Sequence, residues 1–554
     1  MNTPTYTQSI KNDARRFVLE RAVKALTADR SSSVVVSADE FDDARNYAIT
    51  FLEQYNLAPS SLRSELLEQS AEWHTFHRSV VGHKEPSDLR VLYLCGPEPE
   101  NDLSVLLELG IVPQNVWAVE SVASIYQEAV QQLKRKNRFI RIHHGGLDTF
   151  FDSTNERFDI IYIDACGPLL GGHPNTIRPP LLLFHRERLA PLGVLITNFA
   201  QPPTEKMSEY ERLMCYYFAP RYNDCPRAVV RAGADPAVAF LDPGHLLPYI
   251  RSHFDDAYSD FVTRLLVDLG RDIIPVSRIY DNKDLRAKYF APAAQLKEAL
   301  QAATSEPPDP LETETPDEYL RRYFMQTGDV LLNASGYPLL QFLRNSSKDK
   351  VAAELIRPIL DYKLRNEPIE KSLLAATVLA KIAEGHAGVA SLEMQAALRQ
   401  SWVDSAGGLF CDVPLPNLLI NTLYGIYGHP YLPNPRRSTR ISYTAKTTKM
   451  YMDVLVLDQC RYFYDYLPTI DLIPDRFRSV AYQLVLRACL DRMGRYDFSS
   501  SSHPFHGAAL GGFGEYTSAS AYDFSRRRGQ PPWAGQGPES DDDESADGSG
   551  PDGA

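Results

Sequence analysis

The sequence lacks the features of disulfide-rich, zinc-binding, membrane-spanning and secreted proteins. Its 554 residues include only 7 cysteines, and no two of them form a CxxC pair or have the spacing of a zinc site. We therefore expect reduced, buried thiols and no structural metal. No apolar run approaches the roughly 20 residues of a transmembrane helix, and the polar N-terminus lacks the apolar core of a secretory signal. These absences predict a soluble, cytoplasmic protein without membrane contact.

An excess of positive charge is also missing. The formal net charge is −13, so no general attraction to nucleic acid is expected. Part of this charge lies in the last residues, 526–554, where glycine, proline, serine and aspartate predominate, and we predict a disordered acidic tail there. The remaining chain is rich in hydrophobic residues, which make up 44% of the whole sequence, and can bury large cores.

Between residues 90 and 199 the sequence alternates between strand-like apolar runs and segments with a helical pattern. Alternating βα units build a parallel sheet, and such a sheet binds ligands at the carboxyl ends of its strands. The polar residues that end these runs are therefore the candidate site. The runs are Val91–Gly96, Val116–Glu120, Phe139–Ile142, Phe158–Asp164 and Gly193–Asn198.

The pattern changes on both sides of this region. Amphipathic helices are predicted before it, one of them opened by a capping box at Ser37 and Glu40. Long helical patterns dominate after it. We therefore predict an α/β Rossmann-like domain flanked by an N-terminal helical cap and a large, mostly α-helical C-terminal region. The predicted boundaries are 1–84 for the cap, 85–235 for the α/β domain, 236–525 for the helical region and 526–554 for the tail.

Four strand ends carry residue types suited to a nucleoside ligand. Gly96 follows the first strand, and the absence of a Cβ atom lets a ligand approach the backbone. Glu120 ends the second strand, where a carboxylate can accept hydrogen bonds from both ribose hydroxyls. Asp148 follows the third strand and could accept from an adenine amino group. Asp164 ends the fourth strand.

This order resembles the class I S-adenosylmethionine-dependent methyltransferases, which have a glycine turn, an acidic end of strand 2, a Gly-x-Asp after strand 3 and a polar end of strand 4. The turn Leu189–Gly193 before the fifth strand also fits that family. The resemblance covers about residues 89 to 200. It implies S-adenosyl-L-methionine as cosubstrate, with its ribose on Glu120, its adenine on Asp148 and its methionine or methyl-transfer end beside Asp164.

The same resemblance implies that Gly96 lies under the cosubstrate and that Glu98 is a candidate for its amino group, with Glu100 and Asp102 as alternatives. Three departures from the family pattern are visible. Tyr93 replaces the usual strand 1 acid, the turn keeps one glycine followed by two prolines, and no Asp-Pro-Pro-Tyr or Asn-Pro-Pro-Tyr follows strand 4. Prolines remove N–H donors, which favours a second hypothesis of a catalytically degenerate scaffold or ligand sensor.

Each site residue also has a simpler interpretation. Glu120 could cap a helix or pair with a lysine, Asp148 could be an N-cap, and Asp164 could be a turn residue. A nicotinamide-binding domain would use the same fold and the same strand 2 acid, but its GxGxxG fingerprint is absent after strand 1. We therefore expect methyl transfer, with Asp164 as the candidate catalytic residue and no metal.

A basic stretch between residues 433 and 451 is the one candidate for nucleic-acid contact. Cations, hydroxyls and aromatics alternate there, as in surfaces that bind phosphates and stacked bases. A solvated loop between helices is the alternative. Because the helical region is larger than a small-molecule lid needs, a protein or nucleic-acid substrate is weakly favoured. The cations are Arg436, Arg437, Arg440, Lys446 and Lys449.

Overall fold

The computed structural model describes most of the chain on either side of several gaps. The predicted tail and Lys446 lie outside the described residues. The described ranges are 9–54, 60–165, 167–171, 176–218, 243–292, 295, 338–364, 368–369, 387–398, 423–445, 447–468, 472–476 and 478–494.

One mixed sheet organises the described residues. Its strands are β1 (Val91–Leu94), β2 (Val116–Glu120), β3 (Arg141–His144), β4 (Phe158–Asp164), β5 (Leu189–Ala200), β6 (Leu432–Pro433), β7 (Thr439–Ala445) and β8 (Thr448–Asp458). The strand order is β3-β2-β1-β4-β5-β8-β6, with β7 also paired to β8. The first five strands are parallel and follow the order of a Rossmann-like fold, which confirms the predicted parallel α/β sheet.

The predicted mostly α-helical region after residue 236 also contains three strands, β6, β7 and β8. β8 runs antiparallel to β5 over Leu192–Ala200, so part of the C-terminal region completes the sheet of the α/β domain. The basic stretch forms the β7–β8 hairpin and is not a loop between helices. β8 is buried along most of its length, which explains its dense apolar run Val454–Leu457, because a strand covered on both faces has no exposed side.

Helices cover both faces of the sheet. The labelled ones are α1 (Ser9–Leu26), α2 (Arg30–Ser33), α3 (Ala38–Gln54), α4 (Ser60–Val81), α5 (Glu100–Glu108), α6 (Ala123–Arg135), α7 (Leu147–Ser153), α8 (Arg178–His185) and α9 (Met207–Phe218). Later α-helices span Pro243–Ser252, Phe254–Asp268, Ile274–Asp281, Lys283–Tyr289, Pro338–Lys348, Lys350–Leu360, Leu392–Leu398, Arg461–Tyr464, Ile473–Arg476 and Val480–Gly494.

Alternate residues of β1, β4, β5 and β8 enter two separate hydrophobic cores. Tyr93 and Tyr162 face the core that contains α1, α3 and α4, whereas Leu92 and Ile161 face the core of α8 and α9. The helix Val480–Gly494 packs on α3 and α4, so the two ends of the described chain share one layer. This layer brings α1 onto β4, β5, β7 and β8.

Local sequence signals explain several helix boundaries. The capping box before α3 is present, since Ser37 and Glu40 exchange backbone and side-chain hydrogen bonds of 3.1 and 3.3 Å. The predicted turn Leu189–Gly193 is instead the first part of β5. Its backbone pairs with β4 at Leu189 and with β8 from Leu192 onward, and this non-local pairing overrides the turn signal.

The described ranges contain neither a candidate membrane span nor a candidate metal cluster. Within them, no helix combines the length and apolarity that crossing a membrane requires. The same residues contain no group of three or more histidine, cysteine, aspartate or glutamate side chains arranged to hold a metal ion.

A cluster of charged residues around Glu187, which precedes β5, connects this part of the chain to residues from its C-terminal part. His429 Nδ1 lies 2.9 Å from Glu187 Oε1, Arg157 Nη2 lies 2.5 Å from Oε2, and Arg278 Nη1 is 3.7 Å away. Burial alone raises the pKa of this carboxyl, but the hydrogen bond with His429 and the nearby positive charges outweigh it and lower the pKa to about 2. The ionised form of Glu187 is therefore stabilised in the folded state.

Glu187→Gln is expected to destabilise the protein by on the order of 3 kcal/mol near neutral pH. Because the folded pKa lies below the ordinary value, this stability is present above about pH 4.5 and is lost as the pH falls toward 2. Thermal unfolding of wild type and variant should thus differ most near pH 7 and converge in acid. Glu20→Gln, at an exposed ion pair with Arg16, is the control. An equal gap at all pH values would contradict the assignment.

Candidate functional site

The carboxyl ends of the parallel strands bring three of the predicted residues to one edge. β1 lies between β2 and β4, with Leu94 opposite Val119 and Tyr93 opposite Tyr162. The turn that follows β1 is therefore flanked by Glu120 at the end of β2 and by Asp164 at the end of β4. Gly96 thus follows the strand that lies between those ending in Glu120 and Asp164, and its role toward a ligand stays a prediction.

Gly96 adopts a left-handed backbone conformation with φ +56°, and a Cβ atom added there would meet nothing within 4 Å. Glycine is thus needed for the turn and leaves open space above it. The following residues are held in place locally, because Asn101 Nδ2 donates to Glu98 Oε2 at 2.8 Å. The predicted role of Glu98 toward an amino group stays a prediction.

Glu120 has one carboxylate oxygen engaged. The backbone N–H of Val122 donates to Glu120 Oε1 at 2.8 Å, which fixes the side chain and leaves Oε2 to accept from a ligand. Burial, followed by the negative charge of Glu120, raises the pKa of the Cys95 thiol to about 12. Cys95 is therefore a protonated thiol beside this carboxylate and does not act as a nucleophile at neutral pH.

Asp148 differs from the other strand-end residues in its surroundings. Its side chain is 42% exposed, its Oδ2 lies 3.4 Å from Arg178 Nε, and the Thr149 backbone N–H donates to its Oδ1 at 2.9 Å. Among the described residues it forms no hydrogen bond or ion pair with Glu120 or Asp164. The structure therefore does not join Asp148 to the other two carboxylates by any contact, and adenine binding there stays a prediction.

Asp164 is engaged on both oxygens. Lys11 Nζ of α1 lies 2.8 Å from Oδ2, and Asn198 Nδ2 donates to Oδ1 at 2.8 Å. The register of the sheet explains the second contact, because Asp164 of β4 is the direct partner of Asn198 in β5. Asn198 Nδ2 also donates to the Tyr443 hydroxyl of β7 at 2.9 Å, which connects the site to the C-terminal strands.

A second buried ion pair lies beside the first. Arg15 Nε of α1 lies 2.5 Å from Asp102 Oδ1 of α5, and both side chains are 7% exposed. Burial raises the pKa of Asp102 to about 6 despite the Arg15 guanidinium, and the negative charge of Asp164 adds to that rise. Two carboxylates and two cations from α1 therefore share this end of the sheet.

Among the described residues, the buried polar atoms that have no hydrogen-bond partner include two in this region. They are Asn198 Oδ1 and the Tyr162 hydroxyl, and both residues are at most 2% exposed. Burying such atoms unpaired costs about 1–3 kcal/mol each, so they are candidates for ligand contact. The charge of Asp164 contributes to a raised Tyr162 pKa, after burial itself, which places that hydroxyl near the carboxylate.

The sequence interpretation included Asn198 as a polar strand end without giving it a role, and it did not assign Lys11, Arg15, Tyr162 or Tyr443 to the site. A polar residue at the end of the β5 run was the available signal for Asn198. Tyr162 lies inside an apolar run, where an aromatic side chain is ordinarily interpreted as part of the hydrophobic core. The two cations of α1 come from a distant part of the sequence, and their approach to the sheet is visible only in the tertiary structure.

The predicted basic residues are paired with acidic ones where the structure describes them. Arg437 Nη1 lies 2.9 Å from Asp29 Oδ2, and Arg440 Nη2 lies 2.8 Å from Asp260 Oδ1. Arg436 pairs with Glu40 and Lys449 with Asp255. These pairs connect the β7–β8 hairpin to neighbouring elements, and its contact with nucleic acid remains a prediction.

Comparisons with known proteins give only weak likenesses. No protein-family model matches the chain, and no curated protein matches it. One similar solved structure is an S-adenosylmethionine-dependent methyltransferase from Clostridium acetobutylicum ATCC 824, with 14% identity and a TM-score of 0.18, over 30% of this chain and 60% of that one. Another is a putative caffeoyl-CoA O-methyltransferase from Staphylococcus aureus, with 18% identity and a TM-score of 0.15, over 28% of this chain and 71% of that one.

The chain thus spans about 60% of the length of the first of these structures. Because these TM-scores are low, neither the substrates nor the site residues of these two proteins are assigned to this chain. The class that the strand order itself defines is a Rossmann-like α/β protein with added antiparallel strands.

Proposed function

We propose that this protein is an S-adenosylmethionine-dependent methyltransferase. The observation that carries the proposal is the open, left-handed turn at Gly96 between the carboxylates of Glu120 and Asp164. A nucleoside ligand at this edge could approach the backbone at Gly96 without meeting a side chain. The combination supports a ligand that has a ribose on one side and a cationic group on the other.

The residues of the site fit the two ends of such a ligand. Glu120 is oriented by the Val122 N–H, and its remaining oxygen can accept from ribose hydroxyls. Such charge-assisted hydrogen bonds are stronger than neutral ones. At the other end, Asp164 supplies negative charge, and Asn198 Oδ1 and the Tyr162 hydroxyl supply unused hydrogen-bonding capacity. The bound cosubstrate would supply an activated methyl group.

Methyl transfer requires mainly alignment of a nucleophile with that methyl group. Asp164 and Asn198 are held rigidly by adjacent strands, so they are suited to orienting groups at the reacting end. Burial and the charge of Glu120 raise the pKa of Cys95, which disfavours a thiolate nucleophile at this position. The acceptor is proposed to be a macromolecule, since a large part of the chain lies outside the parallel strands and their helices.

A catalytically degenerate scaffold or ligand sensor is the second candidate. The observation that favours it is the pairing of Asp164 with Lys11, which satisfies the carboxylate within the chain. Incubation of the purified protein with methyl-labelled cosubstrate and cell extract separates the two candidates. Labelled product that depends on Asp164 supports the enzyme, and binding without any turnover supports the sensor.

Glu120→Ala is expected to weaken binding of S-adenosylmethionine about 10-fold or more, which corresponds to loss of ~1.4 kcal/mol or more from ribose hydrogen bonds. Calorimetric titration measures the change. Glu128→Ala is a matched control, because Glu128 is exposed on α6 and should leave the affinity unchanged. Equal affinities of wild type and folded Glu120→Ala would remove Glu120 from the site.

A further inference from the structure

Helix α1 extends two cations over the carboxyl edge of the sheet. Lys11 and Arg15 are one helical turn apart, so their side chains lie on the same face of α1. Lys11 reaches Asp164 at 2.8 Å and Arg15 reaches Asp102 at 2.5 Å. Both carboxylates belong to the site at which the proposed ligand would bring its own positive charge.

We propose that Lys11 is an internal competitor for the ammonium group of the ligand, and that α1 is an autoinhibitory cover of the site. The inference rests on the proposed function and concerns its regulation. The ligand class is a nucleoside that carries a primary ammonium group on a flexible chain. Binding of that group to Asp164 displaces the Lys11 ammonium.

The hydrogen bonds of Asp164 make the competition direct. Asn198 Nδ2 occupies Oδ1, and Lys11 Nζ occupies Oδ2. A ligand ammonium that approaches Oδ2 therefore meets the Lys11 ammonium, and the two like charges repel each other at this distance. Lys11 and the ligand both present a primary ammonium group. Breaking the ion pair between Lys11 and Asp164 costs free energy, and this cost reduces the net binding free energy of the ligand ammonium.

The unpaired atoms support an external ammonium at this place. An ammonium group has three N–H donors, and Asn198 Oδ1 and the Tyr162 hydroxyl oxygen are buried acceptors without a partner. Asn198 is in direct contact with Asp164 through its Nδ2. These two acceptors are therefore the candidates for N–H groups of a ligand ammonium that the carboxylate does not bind.

The two ion pairs differ in a way that suits a movable contact. Lys11 is 28% exposed and lies in the first turn of α1, whereas Arg15 is 7% exposed and held by Asp102 and Asn12. Lys11 can therefore turn into solvent by changing side-chain rotamers while Arg15 keeps α1 on the sheet. Release needs no unfolding of the helix.

The test is calorimetric titration of wild type and Lys11→Met with two nucleosides. S-adenosylhomocysteine carries the ammonium group, and 5′-methylthioadenosine lacks it but retains the adenosine. Lys11→Met keeps the apolar stem and removes the charge. We expect it to raise the affinity for S-adenosylhomocysteine about two- to fivefold, which is the effect of removing one partly exposed ion pair, and to leave the affinity for 5′-methylthioadenosine unchanged.

Two variants complete the design. Lys24→Met removes an exposed lysine from the same helix, whose ion pair with Asp29 spans 3.8 Å, and should change neither affinity. Asp164→Asn removes the anchor and should weaken S-adenosylhomocysteine at least 10-fold without affecting 5′-methylthioadenosine. Thermal unfolding of each variant confirms that it is folded.

Each possible result of these titrations leads to a different conclusion. Equal binding of S-adenosylhomocysteine by wild type and Lys11→Met overturns the competition but keeps the proposed function. Weaker binding by Lys11→Met also overturns it, because Lys11 then helps to hold the ligand. A similar gain for both nucleosides indicates general opening of the site and overturns the role of the ammonium. No binding by any folded form overturns the proposed function as well.

Discussion

Arg271→Met is expected to destabilise the fold more than any other single change considered for this chain. Arg271 is completely buried, with Nη2 2.9 Å from Asp272 Oδ2 and 3.3 Å from Asp268 Oδ1. Removing one member of a buried ion cluster leaves uncompensated charge and typically costs about 3–5 kcal/mol. Tyr217 and Tyr424 donate to the same two carboxylates, so the effect extends to several elements.

Differential scanning calorimetry of Arg271→Met should show a midpoint of unfolding lower by on the order of 10 °C. Arg16→Met is the control, because its ion pair with Glu108 is exposed on both sides and exposed pairs contribute about 0–1 kcal/mol. A variant of Arg271 as stable as wild type would mean that the carboxylates are protonated or hydrated in solution. Asp268→Leu added to Arg271→Met should recover part of the loss.

Gly96→Ala is expected to have the largest effect on ligand binding. The residue has φ +56°, and no heavy atom of the described residues lies within 4 Å of an added Cβ, so a methyl group there meets none of them. It would project into the space that the ligand is proposed to occupy. Forcing such contact costs about 1–3 kcal/mol, and binding of S-adenosylmethionine should fall about 10- to 100-fold.

Gly82 offers a closely matched control for this change. It has φ +63° and also has no heavy atom within 4 Å of an added Cβ, and it follows α4, in the linker before β1. Alanine at either position carries the same left-handed backbone strain of about 1–2 kcal/mol. Both variants should lose similar stability, while only Gly96→Ala loses affinity. Equal affinity losses in the two variants would attribute the effect to strain and contradict a ligand above Gly96.

The parallel half of the fold could be predicted from local sequence patterns. Five apolar runs with helical segments between most of them indicated the βα units, and the last residues of the runs indicated Glu120 and Asp164. These features depend on short-range periodicity, which sequence displays directly. The Ser37 capping box was visible for the same reason.

The antiparallel strands β6, β7 and β8 and the position of α1 over the site depend on contacts between residues that are far apart in the sequence. β8 pairs with β5 although more than 200 residues separate Asn198 from Met452, and no local signal states such a partner. Lys11 stands in an amphipathic helix, where a lysine ordinarily faces solvent. Its contact with Asp164 follows from the packing of α1 on the sheet, which is a tertiary property.

Asp148 lies at the position that the resemblance implies, but its surroundings could not be predicted from the sequence. It follows β3 as the resemblance implies, yet its carboxylate pairs with Arg178 at 3.4 Å. Arg178 also lines a cavity of about 400 Å³, together with His185, Arg186 and Tyr362. Residue type and position could be predicted, whereas the ionic partner supplied by α8 could not.

Titration of the purified, folded protein with S-adenosylmethionine and with S-adenosylhomocysteine tests the central claim most directly. A nucleoside site formed by Gly96, Glu120 and Asp164 predicts saturable binding of both ligands in the micromolar range, with one ligand per chain. Absence of heat for both ligands, in protein shown by its thermal transition to be folded and shown to carry no bound nucleoside, would contradict the claim.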